Sequence, residues 1–232
     1  MKKTIYSFFF VVLAWAIVGC PNSDKIRKKM PRLFTINFVM ETGAEPSFMI
    51  SEDFNRDGEI DLVVTNSGDN TLSYFKGNGD GTFKSQIIMK TGEDPICVVT
   101  SDFNNNGYLD LAVLNYRDQT INIYFNSRFG NFKKTGITLR PGKIPINMVS
   151  GDFNRDGIND LAVTMRYHKV MILLGKGKGR FKNPIPIKVK GQPTAIVVGD
   201  YDKNKILDFG VALAGSGKTG VQILWGVGDG TF

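Results

Sequence analysis

DFNRDGEIDL, residues 53–62, carries an oxygen-bearing side chain at every second position from its first to its ninth residue, with a glycine at its sixth. Close copies begin at Asp102 (DFNNNGYLDL) and Asp152 (DFNRDGINDL), and a fourth begins at Asp200 (DYDKNKILDF), where lysine replaces the glycine. We call each copy an acidic loop. The four first aspartates lie 49, 50 and 48 residues apart, so the chain contains an internal repeat of about 49 residues.

Two other landmarks share this period. A proline precedes each acidic loop, and a glycine-rich turn that ends in phenylalanine follows it; the prolines are Pro46, Pro95, Pro145 and Pro193, and the phenylalanines are Phe83, Phe132, Phe181 and Phe232. Each period also holds four short apolar segments rich in Val, Ile, Phe, Tyr and Thr, separated by turn residues and without helical periodicity. Residues 34–232 are therefore predicted to form an all-β propeller of four repeats, each a four-stranded blade.

The segment before the first complete repeat has the pattern of an outer strand. Residues 34–46 align with residues 83–95, and the chain stops at Phe232, where the corresponding strand of the last blade would begin. This alignment predicts a ring closed by the N-terminal strand, which removes an exposed sheet edge. Two alternatives stay open: the chain is part of a longer one, or several copies assemble into a larger ring.

The spacing of oxygens in the acidic loop is that of a site for a hard cation. Calcium takes about 6–8 oxygen ligands, and a short loop wraps around it where a glycine permits a sharp turn. The side chains at positions one, three, five and nine offer oxygens, while position seven would offer its backbone carbonyl. The alternative is a hairpin connection stabilised by Asp and Asn side chains without a metal.

These residues resemble the FG-GAP/VCBS-type repeat, which is related to the repeats of integrin α-chain propellers. The pattern DxNxDGxxDLxV followed by GxGDGxF is matched over nearly all of residues 34–232. The resemblance implies Ca²⁺ in the loop between the first two strands of a blade. The implied ligands are Asp53, Asn55, Asp57, Glu59 (carbonyl) and Asp61; Asp102, Asn104, Asn106, Tyr108 (carbonyl) and Asp110; and Asp152, Asn154, Asp156, Ile158 (carbonyl) and Asp160.

The fourth acidic loop departs from the pattern at Lys205, which replaces the glycine and adds a positive charge. Both changes disfavour a bound cation. We therefore expect a weaker metal loop there, formed by Asp200, Asp202, Asn204 and Asp208.

The N-terminus has the features of an export signal. Lys2 and Lys3 precede an apolar run that ends at Cys20, and this run is short for a membrane span. The sequence Ile17–Cys20 resembles the lipobox of bacterial lipoproteins, which implies a signal peptide at residues 1–19, a lipidated Cys20 and a basic tether at residues 20–33. The implied location is extracytoplasmic, on the cell surface or in the periplasm, with a lipid anchor in the membrane. An ordinary signal peptide cleaved nearby, or an uncleaved anchor, is the alternative.

The positive net charge belongs mainly to this N-terminal part. Residues 1–33 hold seven of the 29 Lys and Arg residues and one of the 22 acidic residues, so the repeats are nearly neutral. Nucleic-acid binding needs basic residues clustered on the folded part, and none is evident. Cys97, the one other cysteine, lies in an apolar run and is predicted to be a buried free thiol.

The sequence favours a non-enzymatic binding, adhesion or scaffold module for glycans or proteins. The clustered carboxylates are already assigned to the acidic loops, and His168 is the sole histidine. AGSGKTG, residues 214–220, lacks the first glycine of a phosphate-binding loop and is predicted to be a turn. The alternatives are a polysaccharide lyase or hydrolase that uses the propeller loops, and an inert subunit of a surface complex.

Overall fold

The computed structural model describes residues 39–215 and 218–232, which form fifteen β-strands and no helix. In this part of the chain no helix is long and apolar enough to cross a membrane. The predicted signal peptide, Cys20 and the whole of the predicted tether lie outside the described residues. The prediction of an all-β protein is confirmed.

The strands form four antiparallel sheets in which sequence neighbours pair side by side. Three sheets have four strands, and the last has three within the described residues. We call the sheets blades 1 to 4, in chain order, and the four-bladed propeller is confirmed. Blade 1 contains β1 (Pro46–Glu52), β2 (Asp61–Asn66), β3 (Thr71–Phe75) and β4 (Ile87–Lys90); blade 2 contains β5 (Pro95–Ser101), β6 (Asp110–Asn115), β7 (Thr120–Asn126) and β8 (Phe132–Leu139); blade 3 contains β9 (Pro145–Gly151), β10 (Asp160–Met165), β11 (Lys169–Leu173) and β12 (Ile185–Lys188); and blade 4 contains β13 (Gln192–Gly199), β14 (Asp208–Ala214) and β15 (Gly220–Leu224).

The first strand begins at the repeated proline in blades 1 to 3 and one residue before it in blade 4. In blades 1 and 2 the pairing register shifts by one residue directly after it, between Pro46 and Phe48 and between Pro95 and Cys97. Proline has no N–H to donate to the ladder, so a bulge beside it accommodates the missing bond. The recurrence of this irregularity explains why the proline keeps the period of the repeat.

The apolar core consists of three clusters, each between two consecutive blades. In the cluster between blades 1 and 2, for example, Leu72 and Tyr74 pack with Val98 and Val113. The middle strands contribute residues to both faces of a blade, which is why Leu111–Leu114 forms an unbroken buried run. A blade therefore buries its faces by stacking on its neighbours.

The repeated phenylalanines join one blade to the next. Phe132, at the end of the blade 2 turn, packs on Phe54 of blade 1, with ring centroids 5.4 Å apart. Phe181 packs in the same way on Phe103 at 6.0 Å, and Phe232 on Phe153 at 6.2 Å. We call each of these contacts a phenylalanine stitch. Every stitch needs one phenylalanine from the acidic loop of a blade and one from the glycine-rich turn of the next blade. The acidic loop and the glycine-rich turn must therefore recur with the same period.

The predicted closing strand falls mostly outside the described residues. Residues 34–38 are not described, and residues 39–45 are not in a strand. The carbonyls of Ala44 and Glu45 accept hydrogen bonds from the N–H groups of Gly68 and Ser67. The segment that connects blade 1 to blade 2 makes the same two bonds with the corresponding turn of blade 2. Residues 41–45 thus occupy the place of a connection from a preceding outer strand, and the closure itself stays a prediction.

Cys97 is a free thiol with no exposed surface in the core between blades 2 and 3. Burial raises its pKa to about 12, so the thiol stays protonated and unreactive at neutral pH. The prediction of a buried free cysteine is confirmed.

Candidate metal centre

Each acidic loop connects the first strand of a blade to the second, and all four loops share one backbone conformation. The fourth and sixth residues are left-handed in every copy: φ is 60° at Arg56 and 90° at Gly58 in the first loop, and 62° at Lys203 and 66° at Lys205 in the fourth. A left-handed conformation costs a non-glycine residue about 1–2 kcal/mol. The fourth loop therefore keeps its shape although Lys205 makes that shape unfavourable.

The first aspartate of each loop ties the turn together. Asp53 accepts hydrogen bonds from the backbone N–H of Asp57 at 3.2 Å and of Gly58 at 2.9 Å. In the fourth loop Asp200 accepts the corresponding bonds from Asn204 at 3.0 Å and Lys205 at 2.9 Å. The turn chemistry predicted as the metal-free alternative is therefore present, and it holds the carboxylates in place without an ion.

The fifth residue also bonds to the loop backbone. Oδ1 of Asp57 accepts a hydrogen bond from the N–H of Glu59 at 3.0 Å. In the next two loops Asn106 accepts the corresponding bond from the N–H of Tyr108, and Asp156 accepts it from the N–H of Ile158, both at 2.8 Å. The seventh residue, expected to offer its carbonyl, is thus fixed by the side chain two residues before it. Each of these bonds leaves further oxygen lone pairs free for a cation.

The ninth residue is buried and has a structural role that its place in a metal motif does not reveal. Asp61, Asp110, Asp160 and Asp208 have no exposed surface. Asp160 accepts hydrogen bonds from the backbone N–H of Phe153 at 2.9 Å and of Gly175 at 2.6 Å, which joins the loop to the end of β11. Blades 2 and 4 repeat both bonds, and in blade 1 Asp61 accepts from Gly77 and from the Tyr74 hydroxyl.

Burial has the largest effect on the charge of two of these carboxyls. It raises the pKa of Asp110 and of Asp160 to about 6, against the opposing effect of the N–H groups that bond to them. A nearby cation would favour the charged form and lower both pKa values.

Three carboxylates converge in the fourth loop, which the sequence ranked as the weakest. Ligand oxygens of Asp200, Asp202 and Asp208 all lie within 4.8 Å of one another, and this is the one such group in the described part of the chain. The third position explains why the carboxylates converge in this loop and not in the other three, because it holds aspartate here and asparagine in the others. Asn55 and Asn104 lie beside the ninth aspartate, with Nδ2 to Oδ1 distances of 3.4 Å in both loops.

Contacts between loops were not evident from the sequence. The Arg56 guanidinium donates to the carbonyl of Gly107 in the next acidic loop and lies 4.4 Å from the ring centre of Tyr108. Asn126 of blade 2 donates to the carbonyl of Phe54 at 2.8 Å, and Asn159 of blade 3 donates to that of Asp102 at 3.2 Å. Neighbouring loops therefore form a connected row on one side of the propeller.

The remaining motifs lie where the sequence placed them. His168 is in the turn between β10 and β11, with φ of 55°. The glycine-rich AGSGKTG stretch connects β14 to β15, and two of its residues, 216 and 217, are outside the described part.

Comparison with known proteins agrees with this architecture. Crystallised BBS1N in complex with ARL6DN is similar to the chain with a TM-score of 0.51 at 18% identity, covering 81% of this chain and 58% of that one. Two further structures are less similar. A luciferin-regenerating enzyme has a TM-score of 0.46 at 10% identity, covering 79% of this chain and 64% of that one. The exotype rhamnogalacturonan lyase YesX has a TM-score of 0.46 at 13% identity, covering 81% of this chain and 50% of that one. The chain thus spans less than two thirds of the length of these structures.

Sequence comparison identifies the repeat directly. No curated protein matches the chain. The model of the FG-GAP-like repeat matches three overlapping stretches, residues 53–113, 102–163 and 152–211, each of which begins at the first aspartate of an acidic loop. These matches cover more than half of the chain and include all four acidic loops. The protein therefore belongs to the family of FG-GAP-like repeat proteins.

Proposed function

We propose that the acidic loops bind Ca²⁺ and that the ion stiffens the propeller. The convergence of Asp200, Asp202 and Asp208 within 4.8 Å carries this proposal, because like charges at that distance favour a counter-ion. All the donors are oxygens, the ligand type that calcium prefers. The shared backbone of the four loops extends the proposal to the other three.

Replacement of Lys205 by glycine tests the metal proposal at the loop that departs from the family pattern. Glycine adopts φ of 66° without strain, and the change removes a positive charge from the loop that holds the three converging carboxylates. We expect calcium affinity at this loop to rise by about two- to fourfold, since a unit charge and a divalent cation about 10 Å apart in water repel each other by roughly 0.8 kcal/mol before salt screening. Isothermal titration of the full chain, freed of metal beforehand, measures the change.

Lys205→Gln serves as the matched control, because it removes the charge and keeps a side chain in the left-handed position. It should raise the affinity by less than Lys205→Gly does. Unchanged calcium binding in both variants would contradict a metal site at this loop.

The stiffened propeller is proposed to act as a non-enzymatic binding or scaffold module. Exposed aromatic side chains on the turns, Tyr116, Phe129 and Tyr167, offer contact surface for a protein or a glycan. A protein partner is favoured, because the similar BBS1N was crystallised in complex with ARL6DN. In this proposal the turns present contact residues, and the metal stiffens the blades that carry those turns.

Retention of envelope components on the immobilised full chain tests this role. We expect protein to be retained in millimolar calcium and released by chelator, with the same result after glycans have been removed enzymatically. Release of sugar fragments from an added polysaccharide would instead indicate an enzyme, and retention that depends on intact glycans would indicate a lectin.

Cys20 is proposed to carry a lipid that anchors the protein outside the cytoplasm. The apolar run and the residues before Cys20 support this location. Cys20→Ser should abolish incorporation of labelled palmitate and release the protein from the membrane fraction. Cys97→Ser is the control, since that buried thiol should make no contribution to anchoring.

A further inference from the structure

Blade 3 contains a cavity of about 310 Å³ between its β10–β11 turn and the segment that leads into β9. Met165 and Met171 line this cavity, together with Tyr167, Lys143 and Lys169. Met165 is buried, whereas the side chain of Tyr167 is 63% exposed. The volume is that of a small-molecule site, and the lining combines apolar surface with a few polar groups, as the lining of such sites does.

The same place is filled in blade 2. Asn115 stands where Met165 stands, and its Nδ2 donates hydrogen bonds to Thr120 Oγ1 and Asn122 Oδ1, both at 3.1 Å. A β-carbon added to Gly92, in the segment that leads into blade 2, would lie 2.7 Å from the Asn115 amide, so no space remains there. Where blade 2 has Asn, Thr and Asn, blade 3 has Met, Lys and Met. The cavity therefore comes from the side chains of blade 3 and not from the backbone of the repeat.

Two lysines meet across the strands beside the cavity. The register places Lys169 of β11 directly opposite Lys188 of β12. Like charges at directly opposed positions of a sheet repel each other and destabilise the pairing. Blade 1 has Thr71 opposite Lys90 at this place, so blade 3 has a second positive charge where blade 1 has a neutral side chain. An anion beside the two ammonium groups would offset this repulsion.

Positive charge extends over this whole end of blade 3. Residues 140–145, 165–169 and 188–192 meet there through backbone hydrogen bonds, and they contain six Lys and Arg residues and neither Asp nor Glu. The first two segments have counterparts in blade 2, residues 90–95 and 115–120, which contain two basic and three acidic residues. The end of blade 3 is therefore positively charged where that of blade 2 is not, which favours an anionic ligand.

We propose that this cavity binds a small ligand that has an apolar body and one anionic group, of the class of aryl or acyl carboxylates. The methionine side chains, which adapt to irregular shapes, hold the apolar body. Lys143 and Lys169 bind the carboxylate through charge-assisted hydrogen bonds. The cavity lies at the opposite end of β10 from Asp160 and the acidic loop, so this site is separate from the proposed calcium sites.

NMR spectroscopy of the full chain in detergent with calcium, labelled with ¹³C at the methionine methyl groups, tests this site. Phenylacetate is the probe, phenylacetamide is its neutral analogue, and acetate lacks the apolar body. We expect phenylacetate to shift the signals of Met165 and Met171 saturably in the millimolar range while the signal of buried Met148 stays unchanged. Phenylacetamide should bind about tenfold more weakly, because the ammonium groups attract only the charged probe. Met165→Leu and Met171→Leu assign the two signals.

The double substitution Lys143→Gln and Lys169→Gln removes the anion contacts at two exposed side chains. It should lower the affinity for phenylacetate about tenfold, to that for phenylacetamide. Lys176→Gln, at an exposed lysine beyond the other end of β11, is the matched control and should leave the affinity unchanged. The proposal is overturned by the absence of a saturable shift, by equal binding of the charged and neutral probes, by saturable binding of acetate, or by undiminished binding in the double variant.

Discussion

Asp160→Ala should lower the melting temperature by about 6–12 °C even in excess chelator. The substitution leaves the buried N–H groups of Phe153 and Gly175 without their acceptor. Each unsatisfied buried donor costs about 1–3 kcal/mol, which gives roughly 3 kcal/mol for the pair. A domain of this size loses about 2–4 °C per kcal/mol.

Differential scanning calorimetry of the wild type and the variant, both metal-free, measures this effect. Glu52→Ala is the matched control, because it removes an exposed acidic side chain from the end of β1. It should change the melting temperature by at most about 1 °C, as surface substitutions usually do. A small effect of Asp160→Ala in chelator would show that this carboxylate has no structural role apart from the metal.

Calcium should raise the melting temperature of the wild type by about 5–11 °C for each loop filled to one hundred times its dissociation constant. Ligand binding at that ratio stabilises the folded state by about 2.7 kcal/mol, and the conversion of 2–4 °C per kcal/mol applies again. The reason is that the ion removes the repulsion among carboxylates that the turn holds together. Thermal melts in chelator, in millimolar calcium and in magnesium of equal ionic strength measure it.

Asp202→Asn, measured in the same thermal melts, shows how much of the calcium-dependent rise in melting temperature comes from the fourth loop. It makes the loop like the first three, with asparagine at position three, and removes one of the converging carboxylates. We expect part of the calcium-dependent increase to be lost while the melt in chelator changes little. Coincident melts of the wild type in calcium and in chelator would contradict the metal proposal.

Much of the fold follows from the spacing of the repeat. The apolar segments predict strands, and the equal spacing of proline, acidic loop and terminal phenylalanine predicts blades that stack in one manner. The structure confirms both, and the phenylalanine stitches show why the spacing must be equal. The closing strand could not be tested in this way, since residues 34–38 lie outside the described part.

The candidate site was harder to rank from sequence. Lys205, in place of the glycine, made the fourth loop the weakest in the sequence pattern, yet Asp200, Asp202 and Asp208 are the carboxylates that converge. The sequence pattern does not show that in space position three lies beside position nine, whereas position five bonds to the loop backbone. The contacts of Arg56 and Asn126 between blades were missed because they join residues from different periods.

The sequence by itself determined the repeat, the strand content, the positions of the acidic loops and the burial of Cys97, because these depend on local pattern and on period. The tertiary structure decided what the repeated residues do to one another. It showed that the ninth aspartate joins a loop to a strand, and that Met165 and Met171 line a cavity where blade 2 has a hydrogen-bonded polar cluster. Equivalent positions in a repeat share a backbone conformation, but the space between them depends on side chains that meet only in the folded chain.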